Sequence, residues 1–213
     1  MISARLEPGG TVLLVAPVRG LVREAAEALS AIAEFAPTAI GVGASVEEVQ
    51  GLFEFFVRSE GDPVVPLTPN ETSEVRGLVR FGEATVPNPA VVETLRFAEG
   101  HALPVEGLDP SDETSASLFT EHIGYFELVR RTVAERRVAR SPPAPSSADE
   151  FALAWERQVA SGKGSQELAL ARDAHFAAGA RRLAGRGGRV ALLVDRERFD
   201  RVRALLAAPP SAA

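Results

Sequence analysis

The sequence has 213 residues, of which 46% are hydrophobic and 24% are charged, and its formal net charge is −6 at pH 7. This size and composition are typical of a globular protein with a full hydrophobic core, so a single α/β domain over residues 1–213 is predicted. The negative charge argues against general affinity for nucleic acid. The absence of cysteine excludes disulfides, thiolate metal sites and cysteine nucleophiles.

No apolar stretch near the first residues is long enough for a signal peptide or a membrane span. A cytoplasmic protein without membrane association is therefore expected.

The first part of the chain alternates between strand and helix patterns. Residues 11–16 are a continuous apolar run, which indicates a strand buried on both faces. Residues 21–35 have apolar side chains at helical spacing, and their charged residues, Glu24 among them, are expected on the solvent face. A second strand is predicted over 38–42. Such alternation favours right-handed crossovers and a parallel sheet.

The next elements are bounded by capping residues, prolines and glycines. They are a helix from the Ser45 cap to about Arg58, a short helix between loops within 61–88, a helix from Asn88 to about Gly100, and a strand over 103–108.

A segment at about 112–184 is predicted to be helical and to form an arm or lid inserted in the sheet order. Its first helix is expected to span 112–140, with four large apolar residues on one face: Phe119, Ile123, Phe126 and Val133. A Ser- and Pro-rich linker and the helices 149–160 and 165–184 follow. The chain is then expected to end with a strand over 189–194, a helix to Ala207 and a flexible tail at 208–213. The predicted fold class is α/β, a mainly parallel sheet flanked by helices with an inserted helical arm.

Charged residues follow the predicted strands at the edge where open parallel sheets bind their ligands. Arg19 follows the first strand, Asp109 the third, and Asp195 and Arg198 the last. One interpretation is a set of ion pairs that hold loops against helix ends. The other is a clamp for a carboxylate or phosphate, formed by Arg19 and Arg198 and oriented by Asp109 or Asp195.

No common catalytic or cofactor signature is present, such as GxGxxG, GxSxG, HExxH or an EF-hand loop. The glycine-rich segment 161–165 lies between predicted helices, so it is interpreted as a turn and not as a phosphate loop. His101, His122 and His175 are too far apart in the sequence to have the spacing of metal ligands. Neither a metal nor a cofactor is predicted.

The order of these elements resembles that of the TraB/PrgY family, which is related in fold to the Tiki and ChaN-like proteins. The residues that carry the resemblance are the apolar first strand, the segment Ala36-Pro37-Thr38-Ala39-Ile40-Gly41-Val42, residues 93–98 before the third strand, Arg172-Asp173, and the closing strand and helix over 188–206. The family is thought of as metal-dependent and hydrolase-like, with a histidine motif after the first and last strands and a glutamate after the second.

The resemblance implies that this chain has lost the family's metal ligands. The two histidine positions fall on Arg19 and Arg198, and the glutamate position falls near Gly43. Arginine cannot lose its proton to bind a divalent ion, so the family's metal chemistry is not expected here. Asp109 and Arg172 match positions that the resemblance does transfer.

Three functional hypotheses follow. The first is a non-catalytic or degenerate TraB/PrgY-like protein that binds a small anionic ligand at the carboxyl edge of the sheet, through Arg19, Asp109, Arg172, Asp195 and Arg198. The second is a metal-dependent hydrolase of altered mechanism that uses Asp109. The third is a structural protein whose helical arm forms a homodimer, since a homo-oligomer with two-fold symmetry is the commonest assembly.

Overall fold

The computed structural model describes residues 1–6, 11–58, 66–141, 143 and 145–208. Within these ranges the chain forms a five-stranded sheet in the order β1-β2-β5-β3-β4. β1 is antiparallel to β2, and all the other neighbours are parallel. The strands are β1 (Ile2–Leu6), β2 (Thr11–Ala16), β3 (Ala39–Val42), β4 (Val105–Gly107) and β5 (Arg189–Leu193). The predicted α/β class is confirmed.

Helices connect and cover the strands of this sheet. The α-helices of the described ranges are α1 (Val22–Phe35), α2 (Val46–Leu52), α3 (Pro69–Leu78), α4 (Pro89–Gly100), α5 (Asp112–His122), α6 (Tyr125–Arg140), α7 (Ala148–Val159), α8 (Lys163–Ala184) and α9 (Phe199–Ala207). A wider π-helical turn, Phe53–Val57, extends α2, and 3₁₀ turns at Val79–Phe81 and Arg196–Arg198 follow α3 and precede α9.

The edge strand β1 is an element that the sequence-based prediction missed. Its side chains alternate between partly buried Ile2, Ala4 and Leu6 and exposed Ser3 and Arg5, which is the period of a strand with one solvated face. Because the run is only five residues long, the pattern stands out poorly in the sequence.

The sheet is buried on both faces, which explains why its central strands have no polar alternation. Alternate β2 residues point to opposite sides: Leu13 and Val15 join a core with α1 and α4, whereas Val12 and Leu14 join a core with α8 and α9. The half of α8 that begins at Asp173 therefore forms part of the layer that covers the sheet. The predicted arm thus contributes its last turns to the main core.

The predicted helix over 112–140 is wrong in one respect, because it is broken into α5 and α6. Ile123 leaves the helical conformation and is buried, and Gly124 caps the start of α6. The four apolar residues expected on one face are therefore divided, and Phe119, Phe126 and Val133 are exposed.

A third cluster of buried residues connects the inserted helices to the carboxyl end of the sheet. Val18 and Leu21, in the loop after β2 and at the start of α1, pack with Leu78 of α3, Val138 of α6 and Phe151 of α7. The inserted helices therefore lie over the strand ends.

Some predicted features lie outside the described residues. These are the Gly9-Gly10 turn, residues 61–65 of the loop before α3, residues 142 and 144 of the linker, and residues 209–213 of the tail. Among the described helices, none has both the length and the apolar character needed to cross a membrane.

Candidate ligand-binding site

The loops after β2 and β5 are adjacent because these two strands are hydrogen-bonded neighbours. The amide of Arg196 donates to the carbonyl of Pro17 at 3.0 Å, and the amide of Val194 donates to the carbonyl of Val15 at 3.0 Å. This pairing brings Arg19 and the segment Asp195–Arg198 to the same edge of the sheet, as the strand pattern predicted.

Glu24 holds the loop that carries Arg19. Its carboxylate accepts a hydrogen bond from the Val18 amide at 2.6 Å and pairs with the N-terminal amine of Met1 at 3.4 Å. The prediction that Glu24 lies on the solvent face is wrong, since the residue is only 3% exposed. Its place in the first turn of α1, where a carboxylate is favoured by the helix dipole, is the signal that identifies this role.

Arg198 is the centre of a buried ion-pair network. Its Nη1 and Nη2 donate to the carboxylate of Asp109 at 2.9 and 2.8 Å, and its Nε donates to Asp173 at 2.7 Å. All three side chains are at most 5% exposed. Arg172 also donates to Asp109, with its Nε at 2.9 Å, and Arg201 donates to Asp173 at 2.6 Å.

The charges of this network stabilise one another. Burial favours the neutral form of Asp109, but Arg198 and Arg172 outweigh it and hold the pKa of that carboxyl below its usual value. Burial also opposes the charge on Arg198, yet Asp109 and Asp173 raise the pKa of its guanidinium. Since all three nitrogens of Arg198 already donate to carboxylates, the ion-pair interpretation describes Arg198 and Asp109 better than a free clamp does.

Gly43, which follows β3, makes room for Arg198. A Cβ atom at Gly43 would lie 3.0 Å from Nη1 of Arg198 and 3.3 Å from the carbonyl oxygen of Leu193. A glutamate at this position would therefore compete with Arg198 for the same space. The lack of a side chain at Gly43 therefore leaves the space that the guanidinium of Arg198 occupies.

A cavity of about 270 Å³ opens at this edge of the sheet. Four of the predicted residues line it: Arg19, Arg172, Asp195 and Arg198. Asp109 is not among the lining residues, but it pairs with two that are. The charged lining residues that the sequence-based prediction missed are Glu71, Glu74, Arg131, Glu156, Asp173, Glu197 and Arg201.

Two of the lining residues, Arg172 and Arg201, are here called the arginine wall. The Arg172 side chain is 48% exposed and that of Arg201 is 33% exposed. Arg172 donates to Asp109 through Nε and Nη2, and Arg201 donates to Asp173 through Nε. Within the described residues, no acceptor pairs with Nη1 of Arg172 or with either Nη of Arg201, so these groups remain available to a ligand.

A second set of lining residues, here called the acidic wall, consists of Arg19, the carboxyl groups of Glu74, Asp195 and Glu197 that interact with it, and Glu156, which lies near Glu197. Burial, followed by repulsion from Asp195, raises the pKa of Glu197 to about 8. Burial also raises the pKa of Glu74, although Arg19 opposes this change.

Asp195 and Arg19 are the predicted residues of the acidic wall. Asn88 at the start of α4 donates to Asp195 at 3.1 Å, which ties this helix to the end of β5. Burial opposes the charge on Arg19, but Asp195 and Glu74 outweigh it and raise the pKa of the guanidinium. Arg19 has no hydrogen-bonded side-chain partner in the part of the chain that the structure describes.

The three histidines do not line the cavity. His101 contacts the carbonyl of Phe97, and His122 lies 3.8 Å from Glu167. His175 is exposed. Across the described ranges, no three His, Asp or Glu side chains are grouped so that they could hold a metal ion. The glycine-rich segment 161–165 connects α7 to α8, as predicted.

No protein-family model matches the chain, and no curated protein matches it at a significant level.

Proposed function

We propose that the protein is a degenerate TraB/PrgY-like protein that binds a small molecule in the cavity at the carboxyl ends of β2 and β5. An anionic group of this molecule, a carboxylate or a phosphate, lies against the arginine wall. The observation that carries the proposal is the set of unpaired Nη groups on Arg172 and Arg201, whose positions are held by ion pairs to Asp109 and Asp173.

The charge balance of the network supports an anion at this wall. The guanidinium groups of Arg172, Arg198 and Arg201 carry three positive charges, and the carboxylates of Asp109 and Asp173 carry two negative ones. Within these ion pairs the arginines therefore exceed the carboxylates by one, and the nearby Glu48, which interacts with Arg172 and Arg19, has its pKa raised by burial. Guanidinium groups that are already oriented by carboxylates lose little freedom when they bind a carboxylate or phosphate, which favours affinity.

The roles of the arginines differ from the simple clamp that the strand pattern suggests. The Arg198 side chain is only 5% exposed and all three of its nitrogens donate to carboxylates, so its role is to orient the network. Arg201, which the sequence-based prediction did not include, contacts the ligand in place of Arg198. Arg19 interacts with the carboxyl groups of the acidic wall, where its positive charge limits their repulsion.

The acidic wall restricts the charge of the ligand. A second anionic group would face Glu74, Glu156 and Asp195, and like charges at short range repel strongly in a partly buried site. A cationic group, such as an ammonium, would be attracted there. A small zwitterion with one carboxylate or phosphate and one amine is complementary in charge to both walls.

The test is isothermal calorimetry against acetate, succinate, inorganic phosphate, glycerol phosphate, α-amino acids and phosphoethanolamine. The expected result is the tightest binding among the zwitterions, and a loss of about tenfold or more in affinity for Arg201→Gln, since a charge-assisted hydrogen bond contributes about 1.5–3 kcal/mol. Arg203→Gln, on the same helix but outside the cavity lining, is the matched control. Equal affinities of the wild type and Arg201→Gln would contradict the proposal.

A hydrolase remains the second candidate because of one observation. Glu197 lines the cavity and, with a pKa of about 8, keeps its proton at neutral pH. Such a carboxyl group is able to donate a proton to a leaving group. Turnover in a panel of esters, amides and phosphoesters that disappears in Glu197→Gln would support this candidate, and a panel without turnover would remove it.

A further inference from the structure

Exposed apolar side chains are concentrated on α5 and α6. Of the eleven large apolar residues that are exposed in the described part of the chain, six lie between residues 119 and 133. Phe126 is 87% exposed and Tyr125 is 75% exposed, and their rings contact each other edge to face. The six residues, here called the apolar face, are Phe119, Tyr125, Phe126, Leu128, Val129 and Val133.

Helical periodicity places most of this apolar face on one side of α6. Phe126, Val129 and Val133 are three and four residues apart, so they share one side of the helix. The opposite side contains buried Val138 and packs against α3 and α7. The side of α6 that carries Phe126 and Val129 is therefore exposed.

Opposite charges precede and follow the residues of the apolar face along the chain. The first turn of α5 carries exposed Asp112 and Glu113, and Asp112, seven residues before Phe119, lies on the same side of that helix as Phe119. The last turns of α6 carry exposed Arg137 and Arg140 on the same side as Val133. The order along the chain is acidic, apolar and basic.

The exposed apolar area has the size that a dimer interface requires. The exposed fractions of Phe119, Tyr125 and Phe126 together amount to about two whole aromatic residues, which is roughly 300–500 Å² of area that can be buried. Leu128, Val129 and Val133 add to it. A standard interface takes about 800 Å² from each partner, and in homodimers about 65% of it is apolar, so about 500 Å² of apolar surface is needed.

We propose that the apolar face binds the same face of a second copy of this chain around a two-fold axis near Tyr125 and Phe126. An antiparallel arrangement places the acidic start of α5 of one copy against the basic end of α6 of the other. Two-fold symmetry makes this contact twice, and it leaves neither charged end against a like charge. The charge order selects a second copy as the partner, since the face is complementary to itself.

Sedimentation equilibrium of the full chain tests the interface. The wild type is expected to be a dimer, and Phe126→Glu is expected to raise the dissociation constant by about 30-fold or more, as for a central interface aromatic. Leu170→Glu is the control, because Leu170 is also an exposed apolar residue, at 54%, but lies on α8, outside the apolar face. A wild type that is monomeric at its highest soluble concentration, or a dimer that both substitutions leave equally intact, would overturn the inference.

Charge reversal tests the antiparallel arrangement separately. Arg137→Glu/Arg140→Glu is expected to weaken the dimer because acidic groups would then face Asp112 and Glu113. Adding Asp112→Arg/Glu113→Arg to the same chain is expected to restore it. If the fourfold variant is as weak a dimer as the double variant, the proposed antiparallel arrangement is wrong. Circular dichroism of each variant verifies that the helices are kept.

Discussion

Replacing Glu197 with glutamine should remove a pH-dependent loss of stability. The folded protein raises the pKa of this carboxyl group from 4.5 to about 8. Between these values the folded state binds a proton that the unfolded state has released. The contribution of Glu197 to stability is therefore complete below pH 4.5 and is lost progressively as the pH rises through about 8.

The magnitude follows from the size of the shift. One pKa unit corresponds to about 1.4 kcal/mol, so a change from 4.5 to about 8 gives an upper limit on the order of 4–5 kcal/mol. Solvent in the open cavity screens part of this repulsion, which leaves about 2–3 kcal/mol. Glu197→Gln should match the wild type near pH 4.5 and exceed its free energy of unfolding by that amount at pH 8.5.

Urea denaturation at four pH values, followed by circular dichroism, measures the difference. Glu34→Gln, on the exposed side of α1, is the control for the loss of a surface carboxylate. If the free energies of unfolding of Glu197→Gln and the wild type changed with pH in parallel, Glu197 would be an ordinary solvated carboxylate and the prediction would be wrong.

Two further substitutions examine the buried network. Arg198→Ala should lower the free energy of unfolding by about 3–5 kcal/mol, since it leaves Asp109 and Asp173 buried without their main partner. Urea denaturation of this variant at pH 7 measures the loss. A loss below about 1 kcal/mol would contradict the prediction. Gly43→Ala should lower the free energy of unfolding by about 1–3 kcal/mol, because the added Cβ displaces Arg198. Gly51→Ala is the control, since a Cβ there meets no atom and alanine should stabilise α2. Equal effects of the two alanines in thermal unfolding would show that Arg198 is not confined by Gly43.

Local patterns predicted the sheet and the strand-end charges well. The apolar run of β2 and the capping residues Ser45 and Asn88 act through neighbours in the sequence, and the structure has a strand or helix at each of them. Arg19 and Arg198 are at the carboxyl edge because strand direction alone places them there. These features need no knowledge of the tertiary packing.

The remaining residues of the site depend on tertiary contacts that no local pattern reveals. Asp173 lies on a helix that looks amphipathic and charged in the sequence, and only the packing of α8 against the sheet places it beside Arg198 and Arg201. Glu74 lies on the short helix predicted within 61–88 and Glu156 lies on a helix of the predicted arm, and the sequence pattern did not show how either helix is oriented against the sheet. The two walls of the cavity were therefore not predictable from the strand ends.

The central claim is that Arg172 and Arg201, and not Arg198, hold the anionic group of a ligand. The most direct test is a crystal structure with the tightest-binding compound of the calorimetric panel. A carboxylate or phosphate is expected about 3 Å from Nη1 of Arg172 and from an Nη of Arg201, with the pairs from Arg198 to Asp109 and Asp173 intact. An anionic group bound to Arg198 in place of Asp109, or bound outside the cavity, would contradict it.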